Sequence, residues 1–62
     1  MKNRKLLLQE RIYIACEEGL WRTYSDNYTH SDLDRFKVPK TTDELNEKQL
    51  EILATYRDRF PF

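Results

Sequence analysis

The sequence predicts an all-α fold: a two-helix antiparallel hairpin with a short helical turn between, a small helical bundle that dimerisation would complete. Three observations carry this. Residues 3–24 and 41–59 both repeat apolar side chains at helical spacing. Thr41-Thr42-Asp43-Glu44 has the form of a capping box at the head of the second segment. The stretch between them, from Ser25 to Lys40, has turn character at both ends.

The first segment is built of good helix formers, without proline and with Gly19 as its one interruption. Leu8, Ile12, Ala15 and Cys16 fall on one side of such a helix. Leu7, Ile14 and Trp21 form a heptad-spaced row on another side, and Tyr28 would extend it. Leu6, Tyr13, Leu20 and Tyr24 make a third row, which leaves a narrow polar stripe of Arg4, Arg11, Glu18 and Arg22. A surface helix needs a single apolar stripe. This one has more apolar surface than one partner helix can cover.

In the middle stretch, Ser25, Asp26 and Asn27 favour a turn, and Ser31 followed by Asp34 reads as an N-cap for a helical turn over 32–36. Lys37 to Lys40 should be extended, because Pro39 keeps Val38 out of the helical region. In the second helix, Leu45, Gln49, Ile52, Leu53, Tyr56 and Phe60 line one face, with Glu47, Lys48, Glu51, Thr55 and Asp58 opposite. Pro61 ends it.

Sixty-two residues make one domain, 1–62, with a small core. At this size a single core seldom supplies more than about 3–5 kcal/mol, and the usual staples are missing: Cys16 is the sole cysteine, and Cys16 and His30 do not make a zinc pattern. Regular helix packing, a homodimer or a protein partner must make up the difference. For a dimer, Leu7, Ile14 and Trp21 would meet their own copies in an antiparallel crossing centred on Ile14.

Composition narrows the class. Charged residues are 35% of the chain, and no apolar run approaches membrane-spanning length, so no membrane association is expected. The basic start leads to Leu6-Leu7-Leu8, but Gln9, Glu10 and Arg11 interrupt any signal-peptide core, and one unpaired cysteine suits a reducing cytoplasm. The formal net charge of zero makes nucleic acid an unfavourable partner.

Candidate chemistry fails on inspection. Asp26, His30, Asp32 and Asp34 lack the glycine of a calcium loop, and Lys37 stands where its closing glutamate would be. Cys16 lies on an apolar helix side, where a thiol is inert. Glu10 and Glu17 share a helix side, but this short chain offers no deep pocket for an acid–base pair. No catalytic residue, metal, cofactor or small-molecule substrate is expected.

The aromatic content is the strongest remaining signal. Of eight aromatic residues, Trp21, Tyr24, Tyr28 and Phe36 crowd into one short stretch, with Arg22 and Arg35 among them. Trp, Tyr and Arg dominate binding energy at protein interfaces. The expected function is a small non-enzymatic protein-interaction module, a regulator or inhibitor of a larger protein, the profile of small bacterial or phage regulators. Its contact residues would be Leu7, Ile14, Trp21, Arg22, Tyr24, Tyr28 and Arg35. The alternative is a helix-turn-helix-like nucleic-acid-binding regulator that uses the basic end at Lys2, Arg4, Lys5 and Arg11.

Overall fold

The computed structural model describes residues 4–59 and is all-helical over its regular elements. Helix α1 spans Leu8–Glu17, α2 spans His30–Arg35, and α3 spans Glu47–Arg59, with a 3-10 turn at Thr42–Glu44 before α3. Helices α1 and α3 pack against each other, and α2 packs on α1. The α1–α3 pairing is antiparallel. Glu18, at the end of α1, meets Gln49 near the start of α3, whereas Tyr13 meets Tyr56 one turn from its end.

The first helix is far shorter than the expected 3–24. At its start, residues 4–6 run extended and pair with 40–42: Leu6 N–H donates to Lys40 O at 2.9 Å and Thr42 N–H to Arg4 O at 3.0 Å. Arg4 N–H adds a bond to Thr42 Oγ1 at 3.0 Å. These bonds to a distant segment outweigh the high helix propensity of Arg4, Lys5 and Leu6. The extended path also carries Leu6 into the core, where it is 4% exposed. Glu10 reaches back to accept the Leu7 N–H at 2.8 Å, one half of a capping box, and pairs through both oxygens with Arg4.

At its far end α1 stops in a Schellman motif. Leu20 N–H bonds to Ala15 O and Gly19 N–H to Cys16 O, with Gly19 at φ +85°. Gly19 is therefore a stop and not an interruption. Trp21 and Tyr24 lie beyond the helix, so the row of Leu7, Ile14 and Trp21 is not a helical seam.

Every residue from Glu10 to Ala15 is buried. That accounts for the apolar excess of this segment: a helix apolar on several sides is a buried one. Helix α3 covers one side, while α2 and Val38 cover another. Ile12, Ile14 and Leu33 are fully buried within this single chain. The middle segment closes over much of α1 that α3 leaves open.

Helix α2 exists where a helical turn is expected, but its cap is Thr29 and not Ser31. Thr29 N–H donates to Asp32 Oδ2 at 2.8 Å, and Asp32 N–H donates back to Thr29 Oγ1 at 3.4 Å. The helix ends in a second Schellman pattern, Val38 N–H to Leu33 O and Lys37 N–H to Asp34 O, with Lys37 at φ +57°. The cap of α3 is also shifted. Thr41 serves the 3-10 turn, and its hydroxyl donates to Asp43 and Glu44. The reciprocal box on α3 belongs to Asn46 and Gln49: Gln49 N–H to Asn46 Oδ1 at 2.8 Å, and Asn46 N–H to Gln49 Oε1 at 3.1 Å. The buried face of α3 is as expected: Gln49, Ile52, Leu53 and Tyr56 are inside, Leu45 is half-buried, and the five opposite residues are exposed. Phe60 and Pro61 lie outside the described residues.

One side chain ties these parts together. Arg11, in the nominal polar stripe, is 3% exposed. Its guanidinium donates to Pro39 O, Val38 O, Asp34 Oδ1 and His30 Nδ1, all at 2.9–3.0 Å. A buried charge is tolerated when its donors are satisfied in this way. Arg11 thereby fixes α2 and the segment after it to α1.

Candidate functional site

The residues singled out as contacts fall into separate environments. After the Gly19 stop the chain reverses, and the loop from Leu20 to Thr29 brings Trp21 against Tyr28. Their rings stack with centroids 3.7 Å apart and an interplanar angle of 12°. Phe36, at the end of α2, meets Trp21 edge-on at 5.6 Å. Trp21 and Tyr28 are half-buried against the core, while Phe36 is 42% exposed. The edge-on contact is a favoured arrangement for an aromatic pair, and the stacked pair gains close ring-on-ring packing. Within the loop, Ser25 Oγ accepts the Asn27 N–H at 3.1 Å, the local turn that its composition implied.

Tyr24 belongs to a different group. Its ring sits edge-on to Tyr13 at 6.3 Å, and Tyr13 packs in turn on Tyr56 at 5.4 Å, so it borders the α1–α3 core. Burial, with a smaller contribution from the neighbouring Tyr56, pushes the Tyr24 phenol well above its usual range. Arg22 and Arg35 are exposed. Leu7 is exposed as well, at the opposite end of α1 from Trp21. Ile14 is fully buried and offers no surface to a partner.

The aromatic platform is thus Trp21, Tyr28 and Phe36. Composition pointed to these rings. It did not separate Tyr24 from them or give Phe36 its place, because both depend on where α1 stops. Gly19 was the signal for that stop, since glycine one position past a helix end is the usual C-terminal cap.

The other candidates are equally well placed. Cys16 is half-buried beside the core, and burial, then the charge of Glu17, push its thiol upward, away from the reactive thiolate. Of the basic end, Lys2 lies outside the described residues, Arg4 pairs with Glu10 at 2.8 Å, and Arg11 is buried. Lys5 remains exposed. Glu10 and Glu17 do not form a pair: Glu10 is buried against Arg4, and Glu17 is exposed. Among the described residues no group of three or more His, Cys, Asp or Glu is placed to hold a metal ion, and no helix is long and apolar enough to cross a membrane. Comparison of the chain with protein-family models, curated proteins and solved structures finds no match.

Proposed function

We propose that this protein is a non-enzymatic interaction module of the cytoplasm, a regulator or inhibitor that binds a larger protein through the Trp21–Tyr28–Phe36 platform and the flanking Arg22 and Arg35. One observation carries the reading. Three aromatic rings are held in stacked and edge-on contact outside the helices, with Phe36 left 42% exposed. Rings ordered in advance lose little conformational freedom on binding, and such anchors typically cost 2 kcal/mol or more when truncated at an interface. The raised Cys16 thiol supports a non-catalytic role, and the unpaired cysteine suits a reducing compartment.

The test is affinity capture of a partner by the wild-type chain, identified by mass spectrometry, followed by titration of that partner with Arg22→Ala and Phe36→Ala. Arg22 is exposed, so its variant should keep its melting temperature; Phe36→Ala gives up the edge-on contact with Trp21 and should lose about 0.5–1.5 kcal/mol of stability. Affinity should fall by about tenfold or more in both. A partner bound equally well by both variants would place its site elsewhere, and the reading would be abandoned.

A further inference from the structure

A second feature lies apart from the aromatic platform and does not depend on it. Where the extended start of the chain meets α2 and the segment before the 3-10 turn, a pocket of about 250 Å3 opens to solvent. It is lined by Lys5, Leu6, Arg11, His30, Asp34 and Lys40. Three permanent cations face one carboxylate there. The carboxylate is already engaged: Asp34 Oδ1 accepts from Arg11 at 3.0 Å, and Lys40 Nζ stands farther off at 3.8 Å. Asp34 is thus shared by Arg11 and Lys40, and the three cations together exceed this one carboxylate.

The backbone fixes those lysines in place. The antiparallel bridge between Lys5 and Thr41, with the Leu6 N–H bond to Lys40 O, puts Lys5 and Lys40 on adjoining extended segments. The imidazole adds a directed donor. A guanidinium can only donate, so His30 Nδ1 must accept from Arg11, and the proton of the neutral ring sits on Nε2.

We propose that this pocket binds a phosphate group. Lys5 and Lys40 supply the charge and His30 Nε2–H a hydrogen bond, while Arg11, already engaged by Asp34, His30 and two carbonyls, forms the floor. The charge fits a phosphate, which carries about −1.5 to −2 at neutral pH, better than a carboxylate, which would leave one lysine unbalanced. The size fits a small ligand. Drug-sized molecules occupy roughly 300–1,000 Å3, so this pocket takes the phosphate and at most a compact ester substituent.

The experiment is an NMR titration of the intact chain at constant ionic strength and pH 7.5, with inorganic phosphate in one arm and phenyl phosphate in the other. Saturable shifts should appear at the amides of Lys5, His30 and Lys40. Tighter binding of phenyl phosphate identifies a phosphate ester as the source, and equal or tighter binding of inorganic phosphate identifies the free anion. Lys5→Gln and Lys40→Gln should each weaken binding roughly two- to fivefold, as for other exposed ion pairs, while Lys48→Gln, exposed on α3, should leave it unchanged. The proposal is overturned if neither arm saturates at these amides, or if Lys48→Gln weakens binding as much as the pocket variants do.

Discussion

Helix α2 is held from two directions, and the two attachments work differently. On one side Arg11 reaches into it and the following segment with directional, charge-assisted bonds from a nearly inaccessible side chain. On the other, Phe36 at its end leans edge-on against a ring pair that solvent still reaches. The first attachment accepts one geometry, because the guanidinium and the Val38 carbonyl would be left unpaired in a dry environment by a displacement. The second is weaker, since an aromatic pair contributes about 0.5–1.5 kcal/mol beyond its buried area and leaves no polar group unpaired when it shifts. The buried attachment thus sets the position of α2, and the aromatic one secures its far end at the surface.

The contrast can be broken most severely at Arg11. Arg11→Ala strips the donors from Pro39 O, Val38 O, His30 Nδ1 and Asp34, and leaving the buried Val38 carbonyl unpaired costs about 1–3 kcal/mol before any lost packing. That is a large share of the stability expected at this size, about 3–5 kcal/mol, so urea or thermal denaturation should find the variant strongly destabilised. Arg11→Lys should fare little better, because one ammonium cannot reproduce a planar fork of donors.

The loop that presents the rings depends next on Gly19. Nothing lies within 4 Å of a Cβ built there, so Gly19→Ala would be penalised by its backbone at φ +85° alone, by about 1–2 kcal/mol in chemical denaturation. The converse change at the matching position of α2, Lys37→Gly, removes a positive-φ side chain and should raise stability by up to about 1 kcal/mol. On the aromatic side, Tyr28→Ala should cost about 0.5–1.5 kcal/mol from the lost stack with Trp21. It is therefore a poorer probe of binding than Arg22→Ala, contrary to what an all-surface view of these aromatics suggests.

Acid should distinguish the two sides most gently. Burial pushes the Glu10 carboxyl up, but bonds from Arg4 and the Leu7 N–H outweigh it and hold the group below its usual range. The bond from Arg11, helped by Lys40, does the same for Asp34. A depressed folded pKa means that the stabilisation is complete above the unfolded value, near pH 4, and disappears as pH falls through the folded one. Melting temperature should hold from pH 7 to about 5 and decline below 4. In Glu10→Gln the decline should be shallower.

Much of the architecture was readable from the sequence, for identifiable reasons. The face of α3 was legible because Gln49, Ile52, Leu53 and Tyr56 keep helical spacing over several turns. The limits of α1 were not. Nothing local in Arg4-Lys5-Leu6 says that its backbone will pair with residues near Thr41, since that preference comes from a distant partner. Arg11 was misleading for a related reason: an arginine in a charged sequence is expected at the surface, and only the carbonyls of Val38 and Pro39, brought in by the fold, let it stay inside. The caps were a matter of choice among rivals. Thr41–Glu44 and Asn46–Gln49 both have capping form three residues apart, and the chain uses the later one for the long helix. The aromatic crowding was visible, whereas its division between Tyr24 and the Trp21 stack required the Gly19 turn.

The pairing of the chain's beginning with the segment before α3 also sets an order of events. Arg4 and Thr42 are 38 positions apart, and bringing such distant points together sacrifices roughly 3 kcal/mol of chain freedom before any bond repays it. The capped helices need only local closure and can form first, leaving this short seam to zip last. By the same logic it opens first. In a hydrogen-exchange experiment the amides of Leu6 and Thr42 should trade their protons for deuterons long before that of Val38, even though all three are hydrogen-bonded at 2.9–3.1 Å.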